Sequence, residues 1–99
     1  MPARELSHHP AVAMDLWEAR VWYARVDPRL AERFMQEFWH SVETACAAPE
    51  RWAMDDRGKR RVRFQSFPYL LVFRLEGTAV RVLAVAHGSR SPDFWRHRR

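Results

Sequence analysis

A chain of 99 residues, 47% hydrophobic and 29% charged, can bury one modest core, and this balance excludes a disordered polymer. The formal net charge of +5 and a pI near 10.6 favour acidic partners, either nucleic acid or a negatively charged protein. The single cysteine, Cys46, excludes an internal disulfide and a cysteine metal cluster, and no apolar run is long enough to span a membrane.

The opening MPARELSHH lacks the apolar stretch of a signal peptide, so the expectation is a soluble cytoplasmic protein folding as one domain over residues 1–99. Residues 3–7 (ARELS) are a short strand candidate. Pro10 then suits a first helical turn, and Val12, Leu16, Ala19, Tyr23 and Val26 recur at helical spacing. The spacing predicts an amphipathic helix over 10–26, with Trp17 and Trp22 off its apolar stripe. Asp27-Pro28 is a restart: an N-cap acid followed by proline at the first helical position. The second helix runs to about Ala48, with Ala31, Phe34, Met35, Phe38, Val42 and Ala45 on one side and Pro49 as its stop. So short a link implies a helical hairpin.

Residues 49–60 (PERWAMDDRGKR) are polar apart from Trp52 and Met54, and Asp56-Arg57-Gly58 suits a turn. Residues 61–64 alternate, Val62 and Phe64 against Arg61 and Arg63, as a strand does. The strongest element follows. Tyr69–Glu76 and Ala79–Ala86 flank Gly77-Thr78, which suits a two-residue type II′ turn and pairs Glu76 with Ala79, Arg74 with Arg81 and Val72 with Leu83. Strict alternation then puts Tyr69, Leu71, Phe73, Leu75, Val80, Val82, Ala84 and Ala86 on one face. Leu70, Val72, Leu83, Val85, Arg74, Arg81, Glu76 and His87 fall on the other. A neighbouring strand over 61–64 would add Arg61 and Arg63 to that second face. Pro92–Trp95 suits a single helical turn before a basic end.

The fold class implied is α+β, a small antiparallel sheet packed on one face by an N-terminal helical hairpin. Two helices cover one sheet face and nothing else in the chain is long enough for the other. The face with Leu70, Val72, Leu83 and Val85 is therefore expected to lie open, an apolar patch rimmed by arginines that marks an interaction surface. Covering it with a partner is worth roughly 1.5–3 kcal/mol per side chain before association costs. The alternatives are a self-compensated solvated surface, or a sheet plugged by the chain's own tail with Trp95 as a lid.

Five histidines (His8, His9, His40, His87, His97) match no metal-ligand spacing, so neither a metal nor another cofactor is expected. Lys59, Arg60 and Arg61 form a basic cluster that suits a nucleic-acid finger or a solvated run, and Arg96–Arg99 suit nonspecific phosphate contact or a frayed end.

Several stretches together resemble the RelE/ParE superfamily of bacterial toxins from type II toxin–antitoxin modules. They are EARVWY at 18–23, RFMQEF at 33–38, APERW at 48–52 and, above all, SFPYLLVFRLEG at 66–77. VLAVAHGSRSPDFWRHR at 82–98 resembles the ParE-like branch in its Ala-His, downstream Arg and Pro-x-Phe-Trp pattern. The resemblance implies a compact toxin whose open sheet face or helical-hairpin groove is wrapped by an acidic, partly disordered antitoxin. That antitoxin supplies the operator-DNA-binding part of the complex. Arg61, Arg63, Leu70, Val72, Arg74, Arg81, Leu83, Val85, Arg90 and Trp95 are the expected antitoxin or target contacts.

RelE-like relatives cleave mRNA on the ribosome, with basic side chains activating the ribose hydroxyl and holding the phosphate. The catalytic candidates for that activity are His87, Arg81 and Arg63. ParE-like relatives inhibit DNA gyrase by binding, without a hydrolytic site. The chain lacks the terminal Tyr or His-Tyr of several active ribonucleases and carries Pro92-Asp93-Phe94-Trp95 instead, which favours the gyrase branch. A partner-binding module without toxicity is the third possibility.

Overall fold

In the computed structural model, which describes residues 5–99, six main elements follow one another: β1 (Glu5–His8), α1 (Val12–Val26), α2 (Pro28–Ala47), β2 (Lys59–Arg63), β3 (Tyr69–Glu76) and β4 (Ala79–His87). Residues 3–4 of the predicted first strand lie outside the described residues. Strand order is β1-β4-β3-β2. The predicted antiparallel meander β2-β3-β4 is present, and β1 adds a parallel edge to it beside β4.

The helical hairpin forms for the reasons its sequence suggests. Asp27 Oδ1 accepts the Arg29 backbone N–H at 2.9 Å, capping α2, and Pro28 stands at its first position. α1 has no side-chain cap; His9 Nδ1 instead accepts the N–H of Ala11, just before the helix, at 3.0 Å. Phe34, Phe38, Val42 and Ala45 of α2 and Val12 and Ala19 of α1 bury against one sheet face, meeting Val62, Leu71, Phe73, Val80, Val82 and Val85. Val26, assigned to the inward stripe of α1 by spacing, is exposed at the helix end. Asp15 takes an inward place instead.

The hairpin turn is as expected: Gly77 has φ +63° and Thr78 does not have a positive φ, which is the type II′ pattern. The pairs Glu76–Ala79 and Arg74–Arg81 also hold. Further along, the ladder slips. Phe73 pairs with Val82 but Val72 pairs with Ala84, so Leu83 is an extra residue, a β-bulge. A bulge reverses the alternation beyond it. Ala84 and Ala86, expected on the helix side, join Leu83 and Val72 on the opposite face, while Val85 turns in to the helix-side core.

The opposite face also differs from expectation. It is not open. Val72, Leu83, Ala84 and Ala86 are buried beneath Trp95, which is itself only 2% exposed, with Phe94 packed beside it. A short stretch of tail suffices to cover the face because one indole is large and the bulge supplies small alanines beneath it. The tail-plugged alternative is the one the chain adopts.

Candidate functional site

Cα partners in a ladder share a face, so the register places the charged side chains. Lys59 pairs with Arg74, Arg61 with Val72 and Arg63 with Leu70, and Arg74 pairs in turn with Arg81. All of these lie on the tail side. The convergence of Arg61, Arg63, Arg74 and Arg81 from three strands on one face is therefore real. Arg61 stacks its guanidinium over the Trp95 ring at 5.3 Å and lies 3.9 Å from Asp55. Arg74 meets Glu76 at 3.6 Å, and Arg81 donates to the Ser7 hydroxyl at 3.2 Å. Arg90 lies beyond β4, its guanidinium 4.5 Å from the centre of the Phe94 ring, whose other neighbour is Arg98 at 4.8 Å.

The other expected contacts divide. Leu70 is half-buried on the tail side, while Val72, Leu83 and Trp95 are fully buried there and Val85 is buried on the helix side. A partner reaches the buried residues only if the tail lifts. Two side chains hold it down. The Lys59 ammonium donates to the carbonyls of Trp95 and Arg96 at 3.1 and 2.6 Å. Arg98 forms a two-pronged pair with Asp15 of α1 and also donates to the Leu83 carbonyl. The basic cluster read as a finger is thus part of strand β2: Lys59 lies beneath the tail and Arg60 donates to the Trp52 carbonyl at 2.6 Å.

Burial lowers the Lys59 pKa, Asp55 opposes the shift, and the nearby Arg57, Arg74 and Arg96 add to it. His9 is lowered too, first by burial and then by the nearby Arg98 and Arg81. A ring with a lower pKa folded than unfolded binds fewer protons in the folded state. Stability then falls as pH drops through the ordinary value of 6.5 toward the lowered one. Acidification over that window is expected to lower the melting temperature of the wild type more than that of His9→Asn, which keeps an acceptor for the Ala11 N–H. Parallel calorimetric scans check this, and equal losses would remove His9 from the account.

Of the catalytic candidates, Arg81 and His87 are not brought together. Past the bulge, His87 lands opposite Tyr69, its ring 5.3 Å from the Tyr69 ring. It therefore leaves the arginine face that strict alternation assigned to it. Arg81 lies six residues back along β4, about 20 Å at strand rise. Arg63 does line a cleft with His87 at the open end of the hairpin, together with the Ser66–Pro68 loop. The His87 Nδ1 accepts the Ser89 N–H at 3.1 Å and lies 2.8 Å from its hydroxyl, so the proton of the neutral ring sits on Nε2. A second cleft gathers Glu18, Tyr69, His87 and Arg90. Burial raises the Tyr69 pKa, which keeps its hydroxyl protonated. Among the described residues, no three His, Cys, Asp or Glu side chains gather closely enough to hold a metal ion.

The surface that is both apolar and accessible is not the sheet face read from alternation but lies against the helical hairpin. A groove between β1, α1 and α2 is lined by Leu6, Val12, Leu16, Trp39, Val42 and Val82, with hardly a polar atom in it. Leu6 and Trp39 remain 49% and 54% exposed on its walls. β1, a four-residue edge strand, has one row of backbone groups unpaired among the described residues. The signal available beforehand was Trp39 falling outside the inward stripe of α2. No helix is long and apolar enough to cross a membrane among the described residues.

Comparison with known proteins agrees with this architecture. The solved "Chromosomal ParDE TA system from P. aeruginosa" superposes with a TM-score of 0.74, covering 86% of this chain and 96% of that one at 19% identity. "Toxin ParE2" of Mycobacterium tuberculosis, in strains CDC 1551 / Oshkosh and ATCC 25618 / H37Rv, is 31% identical over 91 residues, 91% of this chain and 87% of the relative. The family described as ParE toxin of type II toxin-antitoxin system, parDE, matches residues 6–92. With a whole-chain relative, a shared fold and a family match across nearly every element, the chain belongs to the ParE toxins of type II toxin–antitoxin systems.

Proposed function

We propose that this toxin arrests growth by binding DNA gyrase without cleaving a substrate, and that a cognate acidic antitoxin neutralises it in the cytoplasm. Membership of the ParE family carries the reading. It is supported by the separation of Arg81 from the other two ribonuclease candidates: His87 is turned to Tyr69 and shares a cleft with Arg63, while Arg81 lies far along the other face. The antitoxin's apolar side chains fit the groove beside β1, where Leu6, Leu16 and Trp39 offer unfilled surface and the strand edge offers main-chain pairing. Its acidic character suits a toxin of net charge +5, and its own DNA-binding part brings the pair to operator DNA. Purified toxin is expected to inhibit supercoiling by gyrase and to accumulate cleaved DNA. Undiminished supercoiling with no cleaved product would overturn the proposal.

A second reading, mRNA cleavage on the ribosome, draws on the cleft where Glu18, Tyr69, His87 and Arg90 place proton-transfer groups beside a cation. It requires transcript breaks after induction that disappear in His87→Ala. Intact transcripts with arrested growth leave gyrase, and harmless overexpression leaves a partner-binding module alone.

A further inference from the structure

The charge of this protein is divided along the chain. Residues 59–99 carry ten Lys or Arg against two acidic residues, whereas residues 5–58 carry six against ten. The fold turns that division into a spatial one. The basic half supplies β2, β3, β4 and the tail, and its strand arginines collect on the tail-side face. We propose that this face binds the phosphate backbone of duplex DNA directly, through Arg61, Arg63, Arg74 and Arg81.

Three observations select this partner. First, Arg74 and Arg81 stand directly opposite each other across a strand pair, an arrangement that costs energy unless an anion lies between them. Asp55 and Glu76 reach only Arg61 and Arg74, at 3.9 and 3.6 Å, while Arg81 holds just the neutral Ser7 hydroxyl and Arg63 makes no ion pair among the described residues. Second, Trp95 already fills the apolar centre of the face, and the described clefts that touch the face do so only at the open end of the hairpin, around Arg63, Leu70 and Ala86. A protein partner needs apolar anchors seated in pockets, whereas phosphates need only placed cations. Third, single-stranded nucleic acid is held by exposed aromatic rings on which bases stack. The exposed aromatics here, Trp17, Trp22 and Trp39, all belong to the helices. Phe94, the ring nearest the face, has guanidinium groups of Arg90 and Arg98 as its neighbours. What remains is a cationic surface without stacking platforms, which matches a duplex.

Arg61 and Arg63 lie two residues apart along the edge strand β2, about 7 Å at strand rise, so the contacts can follow one backbone rather than one point. The contact is separate from the gyrase reading, since it requires no other protein, and separate from the antitoxin groove beside β1. It gives a toxin that acts on a DNA-handling target a hold on the DNA itself.

The test is fluorescence anisotropy of a labelled duplex of arbitrary sequence with the purified full chain across a salt series. Four phosphate contacts predict a log–log slope of roughly −3 to −4, so that doubling the salt weakens binding about tenfold. Arg63→Glu with Arg81→Glu is expected to weaken binding by more than about tenfold and to flatten the slope, while Arg20→Glu on α1 changes it less than about twofold. If the charge-reversed chain melts lower than wild type, Arg63→Gln with Arg81→Gln removes the charge at nearly constant size and is expected to weaken binding and flatten the slope in the same direction. Equal binding by wild type and variant, a salt-independent affinity, or tighter binding to single-stranded RNA of the same length would each overturn the proposal. Gyrase inhibited by a chain that ignores free duplex would overturn this contact and leave the gyrase reading standing.

Discussion

Replacing Trp95 by alanine is expected to remove about 3–5 kcal/mol of folding stability, the usual cost of deleting a large aromatic side chain from a packed interior. The indole is 2% exposed, the sole large cover over Val72, Leu83, Ala84 and Ala86 among the described residues. Its loss opens that layer to water from above, since among the described residues Phe94 is the one other hydrophobic side chain packed against it. Small domains hold about 5–15 kcal/mol in total, so this one truncation consumes a large part of the reserve. At this chain length the melting temperature should fall by roughly 15–30 °C. Trp95→Phe retains an aromatic cover and should lose far less. Thermal melts and urea titrations of both variants check the order. A Trp95→Ala chain that melts within a few degrees of wild type would show that the tail rests on the sheet without belonging to its core.

Much of the fold was legible because the rules involved are local. Asp27-Pro28 starts a helix by capping chemistry alone, Gly77 supplies the one positive φ a two-residue turn needs, and that turn sets Arg74 opposite Arg81; the register that brings Arg61 and Arg63 beside them comes from the structure. What escaped was set by events that alternation does not encode. The Leu83 bulge exchanges the faces of Ala84, Val85 and Ala86 and carries His87 away from the arginines, yet LAVA looks like any regular strand. The closed face escaped for another reason. Counting layers by length treats a short tail as too little to cover a sheet, but a layer is made of area, and Trp95 with Phe94 supplies it. Asp15 was missed because a carboxylate inside an apolar stripe looks like an error until its partner, Arg98, is known from 83 residues away. A lone acid at a core-facing helical position, in a chain with an arginine-rich end, is the clue that was there.

Arg98→Ala is the second large loss expected, about 3–5 kcal/mol, because it removes one member of a buried ion pair and leaves the other uncompensated. The side chains of Asp15 and Arg98 are 4% and 15% exposed. Their geometry explains why the pair exists at this point. The ladder between β1 and β4 ends at His8–Val82, so past that residue the outer edge of β4 has no strand beside it. Asp15 accepts the Val85 N–H at 3.0 Å and Arg98 donates to the Leu83 carbonyl at 3.2 Å, so the two side chains continue the edge that β1 no longer covers. Truncating Arg98 therefore strips a carbonyl of its donor as well as a carboxylate of its cation. Asp15→Asn keeps an acceptor for Val85 without the charge, so adding it to Arg98→Ala should restore part of the loss, whereas independent sites would add their costs. Denaturant unfolding of the two single variants and the double variant measures that coupling. Additive losses would mean that α1, the β4 edge and the tail are held separately, and that the pair joining them is incidental to the closed face.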